Sequence, residues 1–104
     1  MDMNAGVWME NANGLRDELK KISEREIKRM EEVLKDTVVK ENRALEIYNL
    51  ALSYHTDAKH FFEKGDFIRA FEAVVISWTY IDAGLHMDVF EVPEKHRKLF
   101  TMGD

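Results

Sequence analysis

The chain has no cysteine among its 104 residues. That excludes disulfides and thiolate metal sites, and it suits a reducing compartment. It has one proline, Pro93, and no glycine-rich phosphate loop or nucleophile elbow, so the motifs of nucleotide binding and of serine hydrolysis are missing. No apolar run reaches the roughly 18 residues of a membrane span. The longest candidate, Ala73 to Phe90, is interrupted by Asp82, His86 and Asp88. The residues before Leu15 (MDMNAGVWMENANG) lack both a basic start and an apolar core, so they do not read as a signal peptide. A basic excess is absent too: 20 acidic residues against 15 basic give a net charge of −5. Nucleic-acid binders generally carry the opposite balance on one face. The short run Lys95, His96, Arg97, Lys98 reads as a solvated tail. The expectation is a cytoplasmic protein with no nucleic-acid or membrane partner and no cofactor.

What is present is helix. The length suits one domain with a single modest core. From Leu15 to Asp36 the apolar residues Leu15, Leu19, Ile22, Met30 and Val33 recur on one helical stripe, with Ile27 and Leu34 beside it. The other positions are dense in charge, including the pairs Asp17–Lys21, Glu24–Lys28 and Glu31–Lys35, and read as a solvated face. Asn13-Gly14 suits the helix start, leaving 1–14 as a flexible N-terminal segment. Thr37, Val38 and Val39 are β-branched in succession and lose rotamer freedom in a helix, so a connection is placed at Thr37–Asn42.

A second helix is expected over 43–64, with Ala44, Tyr48, Ala51, Ala58 and Phe62 on its inner side and Glu46, Asn49, Ser53, His60 and Lys64 on its polar side. Gly65 ends it and Asp66 caps the next helix. So short a link makes the two helices antiparallel. The third helix, expected over 67–89 and stopped before Pro93, is apolar on nearly all sides. Its inner stripe is Phe67, Ala70, Phe71, Val74, Trp78, Ile81 and Leu85. Its outer side carries Ala73, Ile76, Tyr80, Ala83 and Met87, where a monomer usually places charge. This outer set is expected to be an interface, in a homodimer or with an unidentified protein partner. Cover from Trp8, or from Leu99 and Phe100 in the tail 91–104, is the competing reading.

The residues Asp57-Ala58, Phe61, Gly65-Asp66, Ala70-Phe71, Tyr80 and Asp82-Ala83-Gly84 form the pattern D-A-x-x-F-x-x-x-G-D-x-x-x-A-F followed by D-A-G. In this the chain resembles the archaeal family of uncharacterised proteins called DUF357, over about Ala44 to Phe90. The resemblance implies an all-α fold, a three-helix up-and-down antiparallel bundle with a left-handed twist occupying 15–90. It implies no activity. Ala58, Phe62, Gly65-Asp66-Phe67 and Ala70 also resemble the hairpin of a tetratricopeptide repeat. Such repeats need several stacked copies, and this chain has one.

Candidate chemistry is sparse. Asp82 falls beside Trp78, Ile81 and Leu85, where an ionised carboxylate needs a partner. The Tyr48 hydroxyl is the expected donor. His55 sits mid-face on the second helix, where a lone histidine reads as a hydrogen-bonded core residue. A pocket near Asp82, Tyr48 and His55 that binds a small molecule or nucleotide is the alternative function. Asp82 and His86, four apart, offer two metal ligands, but structural sites take three or four, so no metal is expected. The Arg-x(4–6)-His motif of the HEPN ribonuclease group is missing: Arg43 is too far from His55, and no histidine follows Arg97. With no catalytic residue in sight, a non-enzymatic interaction or self-association module is the leading expectation.

Overall fold

The charged amphipathic segment forms one long helix, α1 (Ala5–Asp36). The computed structural model describes the backbone of residues 5–100 and the side chains of residues 13–100. Residues 1–4 and 101–104, and the Trp8 side chain, lie outside the described residues. The helix therefore starts ahead of Leu15 and runs through Asn13-Gly14 without a break, which corrects the expected start. One glycine costs a helix only about 1 kcal/mol, less than the good helix formers around it supply. The elements that follow are β1 (Val38–Val39), a 3₁₀ turn at Asn42–Ala44, α2 (Leu45–Glu63), α3 (Phe67–His86), β2 (Phe90–Glu91) and the single-turn α4 (Glu94–Arg97). The described residues are mostly helical, as an all-α reading requires.

Side-chain contacts give the helix directions. Tyr48 and His55 of α2 reach Leu34 and Ile27 of α1, so these two helices run antiparallel. Phe67 at the start of α3 packs on Phe62 at the end of α2 with ring centroids 5.1 Å apart, and ten residues on Ser77 reaches Ala51, so this pair is also antiparallel. Ser23 and Arg16 of α1 reach Phe67 and Gly65, so α1 runs parallel to α3. The core between them holds Met30, Val33, Ala51, Ala58, Ala70, Val74 and Ile81, all fully buried. Each larger member contributes about 1.5–3 kcal/mol by leaving water. The buried Ala51, Ala58, Ala70, Ala73 and Ser77 put small side chains at the α2–α3 contact, flanked by the Tyr54–Tyr80 and Phe62–Phe67 rings.

Both hairpin ends are closed by backbone chemistry. At the end of α2, Gly65 adopts φ +78°, its N–H donates to Phe62 O at 3.0 Å, and the Asp66 N–H donates to Phe61 O at 2.9 Å. This is the paired bonding of a Schellman cap. Asp66 Oδ1 then accepts from the Arg69 N–H at 3.1 Å and starts α3. The end of α3 repeats the device without glycine. Asp88 takes φ +58°, its N–H bonds Leu85 O at 3.1 Å, and the Val89 N–H bonds Gly84 O at 2.9 Å. That cap ends the helix at His86, short of the expected Val89, well before Pro93 acts.

The β-branched connection becomes a strand. Val38 and Val39 pair antiparallel with Glu91 and Phe90, and Lys40 N–H donates to Val89 O at 2.8 Å. Lys40 Nζ also reaches Asp88 Oδ1 at 2.8 Å, and this carboxylate holds the lysine above its usual 10.5. The expected solvated tail is anchored instead. His96 is buried, with Nε2 2.8 Å from Asp36 Oδ2, and Lys95 Nζ lies 3.4 Å from the same oxygen. The hydrogen bond from His96 holds the Asp36 carboxyl below its ordinary 3.8, assisted by Lys95 and opposed by desolvation. Phe100 is buried with its ring 5.4 Å from that of Trp78.

Candidate functional site

The residues considered for a ligand pocket serve the core. The Tyr48 hydroxyl donates its one proton to Leu34 O at 2.7 Å, so the expected bond to Asp82 is not made. Burial pushes this phenol above its ordinary 10.0. His55 is buried with Nε2 2.9 Å from Ile27 O. A carbonyl has no hydrogen to give, so Nε2 carries the proton and donates. Asp82 is half-buried, and its Oδ1 lies 3.6 Å from Nε2 of His86, one turn on. Tyr48 and His55 thus act two turns apart on α1, and Asp82 pairs along its own helix. Among the described residues no group of three or more histidine, aspartate or glutamate side chains is placed to hold a metal ion.

Sequence reasoning missed Glu26. Read as part of the solvated face of α1, it is 8% exposed. Its Oε1 accepts from Arg25 Nε and Arg29 Nη1, each at 3.2 Å, while Oε2 is buried with no hydrogen-bond partner. The available signal was its place on the wheel next to Met30 and Val33.

A hollow of about 380 Å³ lies at the end of the helices between Asp36, Val38, Leu85, Asp88, Phe90 and Arg97. Two of its four carboxylates are engaged, Asp36 by His96 and Lys95 and Asp88 by Lys40, and Glu91 and Glu94 complete the rim. These pairs tie β1, β2 and α4 to the ends of α1 and α3, and no nucleophile lines the space.

The expected interface set divides. Ala73 is buried against α2 and Tyr80 is half-buried under Tyr54, whereas Ile76, Ala83 and Met87 are exposed, Met87 to 59%. Among the described residues, the tail meets α3 at Trp78 through Phe100, away from these exposed positions. From α2 the same side gains Leu50, 39% exposed, and the half-buried rings of Tyr54 and Phe61. The result is an apolar and aromatic strip along the α2–α3 groove. At its turn end lies a hollow of about 180 Å³ lined by Tyr54, Asp57, Phe61, Arg69, Glu72, Ala73 and Ile76. Arg69 is held there by Asp66 at 3.6 Å, with its guanidinium 5.9 Å from the Phe61 centroid. Leu50 and Phe61 on this side were not part of the expected set, because a wheel for one helix does not show which neighbour it packs beside.

A small helical protein with a polar-pinned core and an open apolar strip is the class these features define. Residues 14–90 match the model of the family described as "Protein of unknown function (DUF357)", and the chain belongs to that family. It is similar to the crystal structure of protein AF1782 from Archaeoglobus fulgidus, itself assigned to the same family model. The two share 29% identity with a TM-score of 0.68, covering 76% of this chain and 99% of that one. A search of curated proteins returns no match. Among the described residues no helix is long and apolar enough to cross a membrane.

Proposed function

We propose that this chain is a non-enzymatic, cytoplasmic self-association and protein-interaction module, built as a three-helix up-and-down bundle with a left-handed twist. Its working surface is the α2–α3 strip, and its first partner is a second copy. The observation that carries this reading is the continuity of exposed Leu50, Ile76 and Met87 with the half-buried rings of Tyr54 and Tyr80. Scattered apolar residues on a surface need no explanation, but a contiguous strip marks a site of contact. The polar residues once considered for a pocket support this reading, because Tyr48 and His55 are engaged with α1 carbonyls.

Multi-angle light scattering tests it. The wild-type chain is expected to be a dimer at tens of micromolar. Replacing Ile76 and Tyr80 together by glutamate is expected to give a folded monomer with an unchanged helical circular dichroism spectrum. A wild-type monomer over that range, or a dimer indifferent to the two charges, defeats the reading.

A further inference from the structure

Along α2 and the turn before it, Arg43, Leu50 and Asp57 stand seven residues apart, two helical turns each, so they share one line on the helix surface. That line belongs to the open strip. It runs positive, apolar, negative, and is antisymmetric in charge about Leu50. The side chains are available: Arg43 is 73% exposed and bonded only to Glu41 of its own loop, and Leu50 is 39% exposed. Asp57 is exposed, as is Glu72 across the groove on α3. Among the described residues neither carboxylate forms an ion pair, although both rim the 180 Å³ hollow whose walls include Tyr54 and Phe61. Two unpaired acids over an apolar, aromatic hollow match an arginine, whose stem is apolar and whose planar head takes carboxylates and ring faces.

We infer that the partner on this strip is a second copy of the chain, related by a twofold axis through Leu50 and Tyr80, and that Arg43 of each copy seats in the Asp57–Glu72 hollow of the other. This rests on the self-association reading above and adds to it an orientation and a specific anchor. An axis lying in the interface and perpendicular to the helices sets α2 against α2 and α3 against α3, both antiparallel. Residue 43 then meets residue 57 of the other copy, and Leu50 meets Leu50. Tyr80 lies level with Leu50, since Ser77 bonds Ala51 and Tyr80 stacks on Tyr54. Two arginine contacts form per dimer, one at each end, as an isologous interface requires. A parallel arrangement leaves each acidic end facing an acidic end. Arg69, 3.6 Å from Asp66 and over the Phe61 ring, forms one wall of the same hollow.

Charge exchange tests the orientation. Arg43→Glu and Asp57→Arg each place like charges together at both ends. Each is expected to weaken the dimer by about tenfold or more in sedimentation equilibrium. Both positions are exposed, so the variants should keep the wild-type helical circular dichroism spectrum. Mixing the two single variants is expected to restore association as a heterodimer, because each contact then pairs glutamate with arginine or keeps the native pair. The double variant is expected to recover as a homodimer. If the single variants dimerise like wild type while Ile76→Glu dissociates them, the twofold is wrong and the strip remains the interface. A monomeric wild type overturns both.

Discussion

Gly84 offers a decisive test of how the end of α3 is packed. A Cβ built there would lie 2.8 Å from Cγ of Phe90 and closer still to Cδ2 and Cε2. Carbon atoms in contact prefer about 3.5–4.0 Å, so the ring would have to retreat by roughly 1 Å or more. It has little freedom to do so. Phe90 is 2% exposed, meets Tyr48 edge-on at 6.1 Å, and its backbone is paired with Val39. Overpacking of this kind costs about 1–3 kcal/mol, and expelling the ring altogether about 3–5 kcal/mol. Replacing a helical glycine by alanine returns about 1 kcal/mol. The clash wins, and Gly84→Ala should destabilise the chain by about 2 kcal/mol, lowering Tm by roughly 10 °C. Gly14→Ala is the matched control. Nothing lies within 4 Å of a Cβ there, and Gly14 is exposed inside α1. That variant should gain up to about 1 kcal/mol. Circular dichroism melts at 222 nm read both. A Gly84→Ala protein melting at or above wild type, or the two substitutions moving Tm in the same direction, refutes the reasoning.

The remaining predictions concern caps and charge. Gly65→Ala forces a side chain into φ +78° and should cost about 1–2 kcal/mol in a urea titration. Its Cβ would meet only the end of the flexible Arg16 side chain at 3.2 Å, so the cost is conformational and Gly65→Asn should recover part of it. Asp36→Asn should loosen the tail, raising amide exchange in residues 94–100. Because the folded protein holds Asp36 below 3.8, its contribution is complete above that pH and drains away as pH falls through the lowered value. The stability gap between Asp36→Asn and wild type should therefore close in acid. A gap that persists there rules out the carboxylate as its source.

Much of the architecture was legible because its signals are local. The Gly65-Asp66 hairpin follows from one left-handed glycine and one capping carboxylate, and the break after Asp36 from three β-branched residues in a row. The start of α1 was misplaced because Asn13-Gly14 is a start signal only if the preceding residues do not themselves favour helix. The tail was misread for a different reason. His96 is one of four consecutive basic or ionisable residues, and only the fold brings Asp36, sixty positions earlier in the chain, within 2.8 Å. Level along the hairpin points Tyr48 at Asp82, but level does not decide which way the ring turns, and its hydroxyl bonds an α1 carbonyl instead. The outer face of α3 was visible as a set of residues. That Ala73 and Tyr80 belong to the groove and Leu50 to the surface depends on the rotation of α2, which one helix's pattern does not contain.

The hydrogen bonds that cross between helices have a mechanical consequence. Apolar packing alone is tolerant of sliding, since one aliphatic side chain replaces another at each turn. Here every pair of long helices is pinned by at least one such bond: α1–α2 by Tyr48 and His55, α2–α3 by Ser77, α1–α3 by Ser23. The two α1–α2 pins share one offset, Tyr48 with Leu34 and His55 with Ile27, so a slip of one turn unseats both together. Each buried donor left without an acceptor costs about 1–3 kcal/mol, and four of them approach the whole stability of a small domain, about 5–15 kcal/mol. The helices therefore behave as a ratchet with one tooth engaged, and the outer faces can change residue by residue while the axial alignment of the strip stays put.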